Sequence, residues 1–169
     1  MLPFIIKGLA RLFSVVPRCV ADAWGRGLGF LLYGALGSKR RLCRESLSTS
    51  FPDWSEDRVR QTIRGVFRTQ GLFVAELLRM LGGAKPSPLD LVDISPEDQA
   101  RIDEAYGRGK GVLVLTAHIN NYELLLQWSG QRYPMSVVTK RLRPESLNQF
   151  FIESRSSKGI QVLPARGSF

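Results

Sequence analysis

The sequence has few of the residues that usually ligate metal ions, with one histidine and two cysteines among 169 residues. Cys19 and Cys43 form no CxxC pair and lack zinc-ligand spacing, and no second histidine can join His118. We therefore expect neither a metal site nor a cofactor. Two isolated cysteines also indicate a reducing compartment.

The sequence also lacks an apolar run long enough to span a bilayer. The longest charge-free run of the apolar N-terminal part, residues 27–38, is shorter than the ~20 residues that a spanning helix needs. Within 1–38 the charges recur at steps of four on either side of Pro17, so they follow one face of each helix. This pattern predicts a pair of basic amphipathic helices lying on a membrane surface, with a secretory signal or an ordinary packed helix as the alternatives. The charged residues are Lys7, Arg11, Arg18, Asp22 and Arg26.

Acidic residues are too few to balance the basic ones, and the net charge is +9. The excess lies at the two ends of the chain, in 1–50 and 131–169, while 51–130 is nearly balanced. Such a charge predicts an anionic partner. Nucleic acid is not expected, because no zinc-finger, helix-turn-helix or RNA-binding signature is present and the basic N-terminus is also apolar.

Local signals divide the rest of the chain into helices and strands. Ser55 is a helix cap followed by acidic residues and a long apolar stripe, and Gly82-Gly83 ends that helix. Ser95-Pro96 starts another helix. We predict three strands after it, separated by helices that start near Asn121 and Pro144. The predicted strands are 112–116, 135–139 and 160–163.

This order predicts an α/β fold, in which a helical N-terminal region precedes a βαβαβ parallel sheet with flanking helices. Three strands make a thin sheet, so we expect the sheet to be incomplete and the chain to stop before it is finished. The predicted organisation is a membrane-associating segment, 1–38, and the N-terminal part of an α/β domain, 39–169.

His118, the sole histidine, follows the predicted strand at 112–116, and Glu123 comes five residues later. Residues five apart on one helix point about 140° away from each other, so the pair can meet only if His118 lies in a loop before the helix. Glu123 would then hold one ring nitrogen and leave the other as a general base. The alternative is a loop histidine that merely bonds to the backbone.

These residues resemble the bacterial lipid A biosynthesis acyltransferases, within the wider lysophospholipid acyltransferase group. The resemblance includes the basic N-terminus, Ser50–Arg58, the helix carrying Glu76, and the HxxxxE spacing within Thr116–Glu123. It continues through Tyr133-Pro134 and from Asn148 to Arg155.

The resemblance implies acyl transfer from an acyl carrier protein thioester to a hydroxyl of a lipid acceptor, at the cytoplasmic face of the inner membrane. It makes His118 the base, Glu123 its partner and Arg155 a contact to acceptor phosphate. Lys140, Arg141 and Asn121 are further candidates for binding substrate. The alternative function is that of a non-catalytic, membrane-associated fragment or binding module of the same fold.

Overall fold

The computed structural model describes residues 2–117 and 121–165, which form seven α-helices and two β-strands. The strands are β1 (Met135–Thr139) and β2 (Ile160–Pro164), and a 3-10 helix occupies Pro88–Leu91. The helices are α1 (Leu2–Val15), α2 (Arg18–Ala35), α3 (Gly37–Ser50), α4 (Glu56–Leu81), α5 (Pro96–Gly107), α6 (Tyr122–Gly130) and α7 (Glu145–Ser156).

The predicted helix ends are confirmed where capping residues mark them. The Ser55 side chain accepts a hydrogen bond from the Arg58 N–H at 3.3 Å, and α4 begins at the next residue. Ser95 caps α5 in the same way, accepting from the Asp98 N–H at 3.1 Å. The starts of these helices are determined by neighbouring residues, because a side-chain hydroxyl that accepts from an otherwise unpaired N–H fixes where the helix begins.

One compact unit of the structure, Ile6–Ala84, is entirely helical. Its centre is the contact between α2 and α4, where glycines bring the two backbones together. A Cβ built on Gly29 would lie 2.6 Å from the Phe67 carbonyl oxygen, and one on Gly25 would lie 2.9 Å from that of Gly71. Below this contact Val59, Ile63 and Phe67 form a buried cluster, as the apolar stripe of α4 predicts.

A buried arginine, Arg79, links α4 to the end of α1 within the helical unit. Arg79 is only 7% exposed. Its guanidinium donates to the Phe13 carbonyl at 3.0 Å and to the Val16 carbonyl. A cation at the carboxyl end of a helix satisfies orphan carbonyl groups and complements the helix dipole. The packing places α2 and α4 in one unit, and the division at residue 38 into a membrane-associating segment and an α/β domain stays a prediction. Membrane contact of 1–38 stays a prediction.

The other unit combines the first five residues with the chain from Lys85 onward, and it contains the sheet. β1 and β2 are parallel, in register from Met135 opposite Ile160 to Thr139 opposite Pro164. Helix α7 connects them, so the strands and helix make one βαβ unit. Both strands and the helix between them were expected from the sequence, and their existence is confirmed.

The third expected strand is not confirmed, because residues 111–117 have no regular secondary structure. The side chains of Leu113 and Leu115 are 99% and 97% exposed, and the sheet of the described residues has the order β1-β2 alone. A strand buried on both faces needs neighbouring strands and covering helices. An apolar run indicates only that its side chains favour burial. It does not show that neighbouring strands and helices are present to bury them.

A small hydrogen-bonded cluster ties α5 to the loop after α6. The Tyr133 hydroxyl donates to Asp103 Oδ1 at 2.6 Å, and the Gln99 amide donates to the same oxygen at 3.0 Å. The Tyr133 hydrogen bond, and then that of Gln99, lower the pKa of Asp103. The same bond to Asp103 raises the pKa of Tyr133.

Removing the Tyr133 hydroxyl is expected to return the pKa of Asp103 toward its ordinary value of 3.8. A carboxyl with a lowered folded pKa stabilises the fold above its unfolded pKa, and that contribution is lost as the pH falls through the folded value. Tyr133→Phe should therefore weaken the acid dependence of stability. A carboxyl ¹³C titration of Asp103 measures the shift, and Tyr106→Phe, which keeps the Tyr133 hydroxyl, is the control. An unaltered Asp103 titration in Tyr133→Phe would contradict this assignment.

Candidate functional site

The first turn of α6 carries a buried carboxylate. Asn121 is the N-cap of this helix, and its side-chain oxygen accepts from the Leu124 N–H at 3.2 Å. This confirms the capping prediction at that end. Glu123 follows in the first turn and is 2% exposed, although burial of a charge is costly unless it is paired. The N-terminal end of a helix favours an anion, which offsets part of that cost.

The partner of Glu123 is Arg155, in the last turn of α7. Arg155 Nε lies 3.1 Å from Glu123 Oε1, and Nη2 lies 2.7 Å from Oε2. Such a bidentate pair of charge-assisted hydrogen bonds is the strongest geometry available to an arginine and a carboxylate. Arg155 is 9% exposed, and its position near the carboxyl end of α7 suits a cation. Thus α6 and α7 are joined by a desolvated ion pair.

Gln127 extends this cluster by one helical turn. Its side-chain amide donates to Glu123 Oε1 at 3.3 Å, and the residue is 1% exposed. Glu123 thus receives three N–H donors among the described residues. A carboxylate has about four acceptor positions, so capacity remains for one further donor. The site can hold a fixed carboxylate and present it to another group.

The buried face of α6 differs from the face that its apolar pattern predicts. The periodicity predicts that Leu124, Leu125 and Trp128 face inward. Trp128 is buried, but Leu125 is 46% exposed while Glu123 and Gln127 are buried. The only sequence signal for Gln127 is its spacing of four from Glu123, which places both on one side of the helix.

Three further predicted site residues are His118, Lys140 and Arg141. His118 lies outside the described residues. Lys140 is exposed, and Arg141 pairs with Glu145 at 2.7 Å, a bond that raises the Arg141 pKa and lowers that of Glu145. Among the described residues, no hydrogen bond or ion pair joins these two cations to the Glu123–Arg155 pair. Of the predicted site residues that the structure describes, Glu123 and Arg155 are joined by direct side-chain bonds, and Asn121 lies two residues before Glu123 at the cap of α6.

Two further observations bear on the class of the protein. Across the described part of the chain, no group of three or more histidine, cysteine or acidic side chains is arranged to hold a metal ion. No helix in that part combines the length and the hydrophobicity required to cross a membrane.

Comparisons with known proteins identify the family. The family described as bacterial lipid A biosynthesis acyltransferase matches the chain over residues 1–169. A phosphatidylinositol mannoside acyltransferase of Mycolicibacterium smegmatis is 36% identical over 80 residues, which are 47% of this chain and 25% of that protein. A protein of the same name from Mycobacterium tuberculosis is 39% identical over 67 residues, 39% of this chain and 21% of that protein. No solved structure matches the chain.

The chain belongs to the bacterial lipid A biosynthesis acyltransferase family, since the match extends over its whole length. The aligned segments span about a quarter or less of the two curated relatives. The resemblance that the HxxxxE spacing and the flanking segments indicate is thereby confirmed at the level of the family.

Proposed function

We propose that the protein transfers a fatty acyl chain from an acyl carrier protein thioester to a hydroxyl group of a phosphorylated glycolipid. His118 removes the proton of the acceptor hydroxyl as its oxygen attacks the thioester carbonyl carbon. The carbon–sulfur bond then breaks, and the imidazolium returns the proton to the departing thiolate. General base catalysis of this kind contributes roughly 10²–10⁴-fold to a rate.

The observation that carries this proposal is the fixed, buried carboxylate at the start of α6. Glu123 is held on both oxygens by Arg155, while an acceptor position is left for a further N–H donor. An imidazole N–H donated to this position sets the tautomer that leaves the other ring nitrogen free to act as the base. The five-residue spacing from His118 to Glu123 suits this arrangement, because α6 starts only at Tyr122, after its cap Asn121, so that His118 precedes the helix in the sequence.

The ion pair also changes the role that the resemblance gives to Arg155. A guanidinium that is 9% exposed and bonded through two nitrogens to Glu123 is first a positioning group for the carboxylate. We therefore assign contact with acceptor phosphate mainly to Lys140 and Arg141, with Asn121 contributing at the start of α6. The ion pair of Arg141 with Glu145 is exposed, and such pairs are weak enough to exchange for a phosphate.

The acceptor class follows from two sources. The family is described by lipid A biosynthesis, and the two curated relatives are named for phosphatidylinositol mannoside. Both acceptors are phosphorylated glycolipids with free sugar hydroxyl groups. We propose this shared chemistry as the substrate class.

We further propose that the protein works on the cytoplasmic side of the inner membrane, bound through its helical unit. Large apolar side chains of α1 and α2 are exposed, and basic residues lie on the same two helices. Apolar area with cations beside it is the combination that binds anionic bilayers. The apolar residues are Leu12, Val15, Val20, Phe30 and Leu31, which are 50–80% exposed, and the basic residues are Lys7, Arg11 and Arg26.

Transfer of radiolabelled acyl groups from acyl carrier protein tests the function. We expect product with a lipid A precursor or a phosphatidylinositol mannoside, and a rate about 10²–10⁴-fold lower for His118→Ala. Arg101→Ala, which removes an exposed side chain from α5, is the control and should retain the wild-type rate. Undiminished transfer by His118→Ala would remove the proposed mechanism, and no transfer to either acceptor would favour the binding-module alternative.

A further inference from the structure

Helix α4 carries three arginines on successive turns of one side. Arg60, Arg64 and Arg68 are spaced by four residues, so their Cα atoms span about 12 Å along the helix. Like charges at this spacing destabilise a helix. Because Arg60 is paired with Asp57, Arg64 and Arg68 are the cations of this row that can meet an anionic partner.

Two guanidinium groups are held over the same aromatic ring. The Arg40 guanidinium carbon lies 4.9 Å from the centre of the Tyr33 ring, and that of Arg64 lies 5.8 Å from it. Arg40 also donates to the Tyr33 carbonyl oxygen. Tyr33 packs edge-on against Phe67 in the core, with ring centres 5.6 Å apart. The two cations are therefore positioned before any partner arrives, which lowers the ordering cost of binding.

Two neighbouring arginines, Arg60 and Arg44, are paired with acidic side chains. Arg60 pairs with Asp57 at 3.4 Å, and Arg44 pairs with Glu56 at 3.0 Å. Among the described residues, Arg40, Arg64 and Arg68 have no acidic side chain within ion-pair distance. We call these three residues the arginine surface.

The arginine surface differs from the apolar surfaces of α1 and α2. Around Arg64 and Arg68, from Pro52 to Gln70, Val66 is the one large apolar side chain among the described exposed residues, at 42%, whereas Leu36 and Leu42 on either side of Arg40 are 40% and 55% exposed. A membrane-binding helix combines cations with inserted apolar groups. A surface with two positioned guanidinium groups and, on α4, little exposed apolar area instead suits a soluble acidic protein. Carboxylates on successive helical turns of that protein would match the spacing of Arg64 and Arg68.

We infer that the arginine surface docks the acidic acyl carrier protein that brings the thioester. This inference rests on the proposed donor and adds where the donor binds. Charges outside the reacting centre affect how fast the two proteins meet and how they are oriented when they bind. Their loss should therefore raise the KM for the protein-borne donor and leave the chemistry of the bound complex unchanged.

Binding of acyl carrier protein to Arg64→Glu/Arg68→Glu tests the inference, with fluorescence anisotropy as the readout. We expect the Kd to rise by about tenfold or more, and the wild-type affinity to fall steeply with added salt. The double variant Arg64→Lys/Arg68→Lys should recover most of the affinity. Arg101→Glu, which changes an exposed arginine of α5 by the same charge, should bind like wild type. Circular dichroism checks that each variant is folded.

Two further measurements separate the possible explanations. Transfer from an acyl-pantetheine thioester should be equal in Arg64→Glu/Arg68→Glu and wild type, because that donor has no protein to dock. Vesicles of phosphatidylglycerol and phosphatidylethanolamine should bind both proteins equally. An unchanged Kd for carrier protein, no binding by wild type, or a loss confined to vesicle binding would each overturn the inference. A chain that binds carrier protein through these arginines and transfers nothing would contradict only the proposed function.

Discussion

Arg155→Met is expected to destabilise the α/β unit by about 3–5 kcal/mol, because removing one partner of a buried ion pair leaves the other charge unpaired. The side chains of Arg155 and Glu123 are 11% and 2% exposed, so water cannot replace the lost bonds to Glu123. Chemical denaturation followed by tryptophan fluorescence measures the loss, since Trp128 is on the same helix as Glu123.

A double variant separates the ion pair from the packing around it. Replacing both charges by apolar groups of similar volume is often neutral or stabilising, so Glu123→Met/Arg155→Met should recover most of the stability that Arg155→Met loses. It should not recover acyl transfer, because the carboxylate proposed to orient His118 is gone. A loss of less than about 1 kcal/mol in Arg155→Met would show that the pair is solvated or absent.

Gly71→Ala is expected to have the second largest effect on stability, at the contact between α2 and α4. A Cβ on Gly71 would lie 2.6 Å from the Gly29 nitrogen and closer still to the Gly25 carbonyl oxygen. Both obstacles are backbone atoms, so the helices must move apart. Overpacking of this kind costs about 1–3 kcal/mol, and the clash with backbone places this site at the upper end.

Gly65→Ala is the matched control on the same helix. A Cβ at Gly65 meets nothing within 4 Å, so alanine should stabilise α4 by about 0.5–1 kcal/mol through its higher helix propensity. The opposite signs of the two substitutions are the expected result. Equal stabilisation by both would mean that α2 and α4 do not approach as closely as described.

Most helices could be predicted because their ends depend on neighbouring residues. Ser55 and Ser95 bond to N–H groups three positions ahead, and the pattern of Val59, Ile63 and Phe67 repeats with the helical period. Each of these signals depends only on residues within one or two helical turns. The sequence therefore locates these helices without knowledge of what they pack against.

Segment 111–117, which has no regular secondary structure, shows the limit of such signals. Its apolar β-branched composition is typical of a strand, yet Leu113 and Leu115 are almost fully exposed. A strand exists only if another strand pairs with it, and that pairing is not encoded in the segment itself. β1 and β2 form strands because the chain, after α7, runs back beside β1 and the two segments pair.

For the candidate site, the sequence singles out Glu123 and Arg155 but does not predict the ion pair between them. Glu123 and Arg155 were both identifiable from the spacing and the family resemblance. Their mutual ion pair joins residues 32 apart, and no local pattern indicates that a carboxylate in α6 is buried. Gln127 was missed for the same reason, because its burial depends on Glu123 being buried first.

A direct test of the central claim uses the fact that His118 is the sole histidine. ¹⁵N-histidine labelling gives one imidazole, whose tautomer and titration can be followed by NMR in wild type and Glu123→Gln. If Glu123 holds His118, wild type should show one dominant tautomer, and the imidazole should titrate at lower pH in Glu123→Gln because the carboxylate stabilises the imidazolium. Identical tautomers and titration curves in the two proteins would contradict the account.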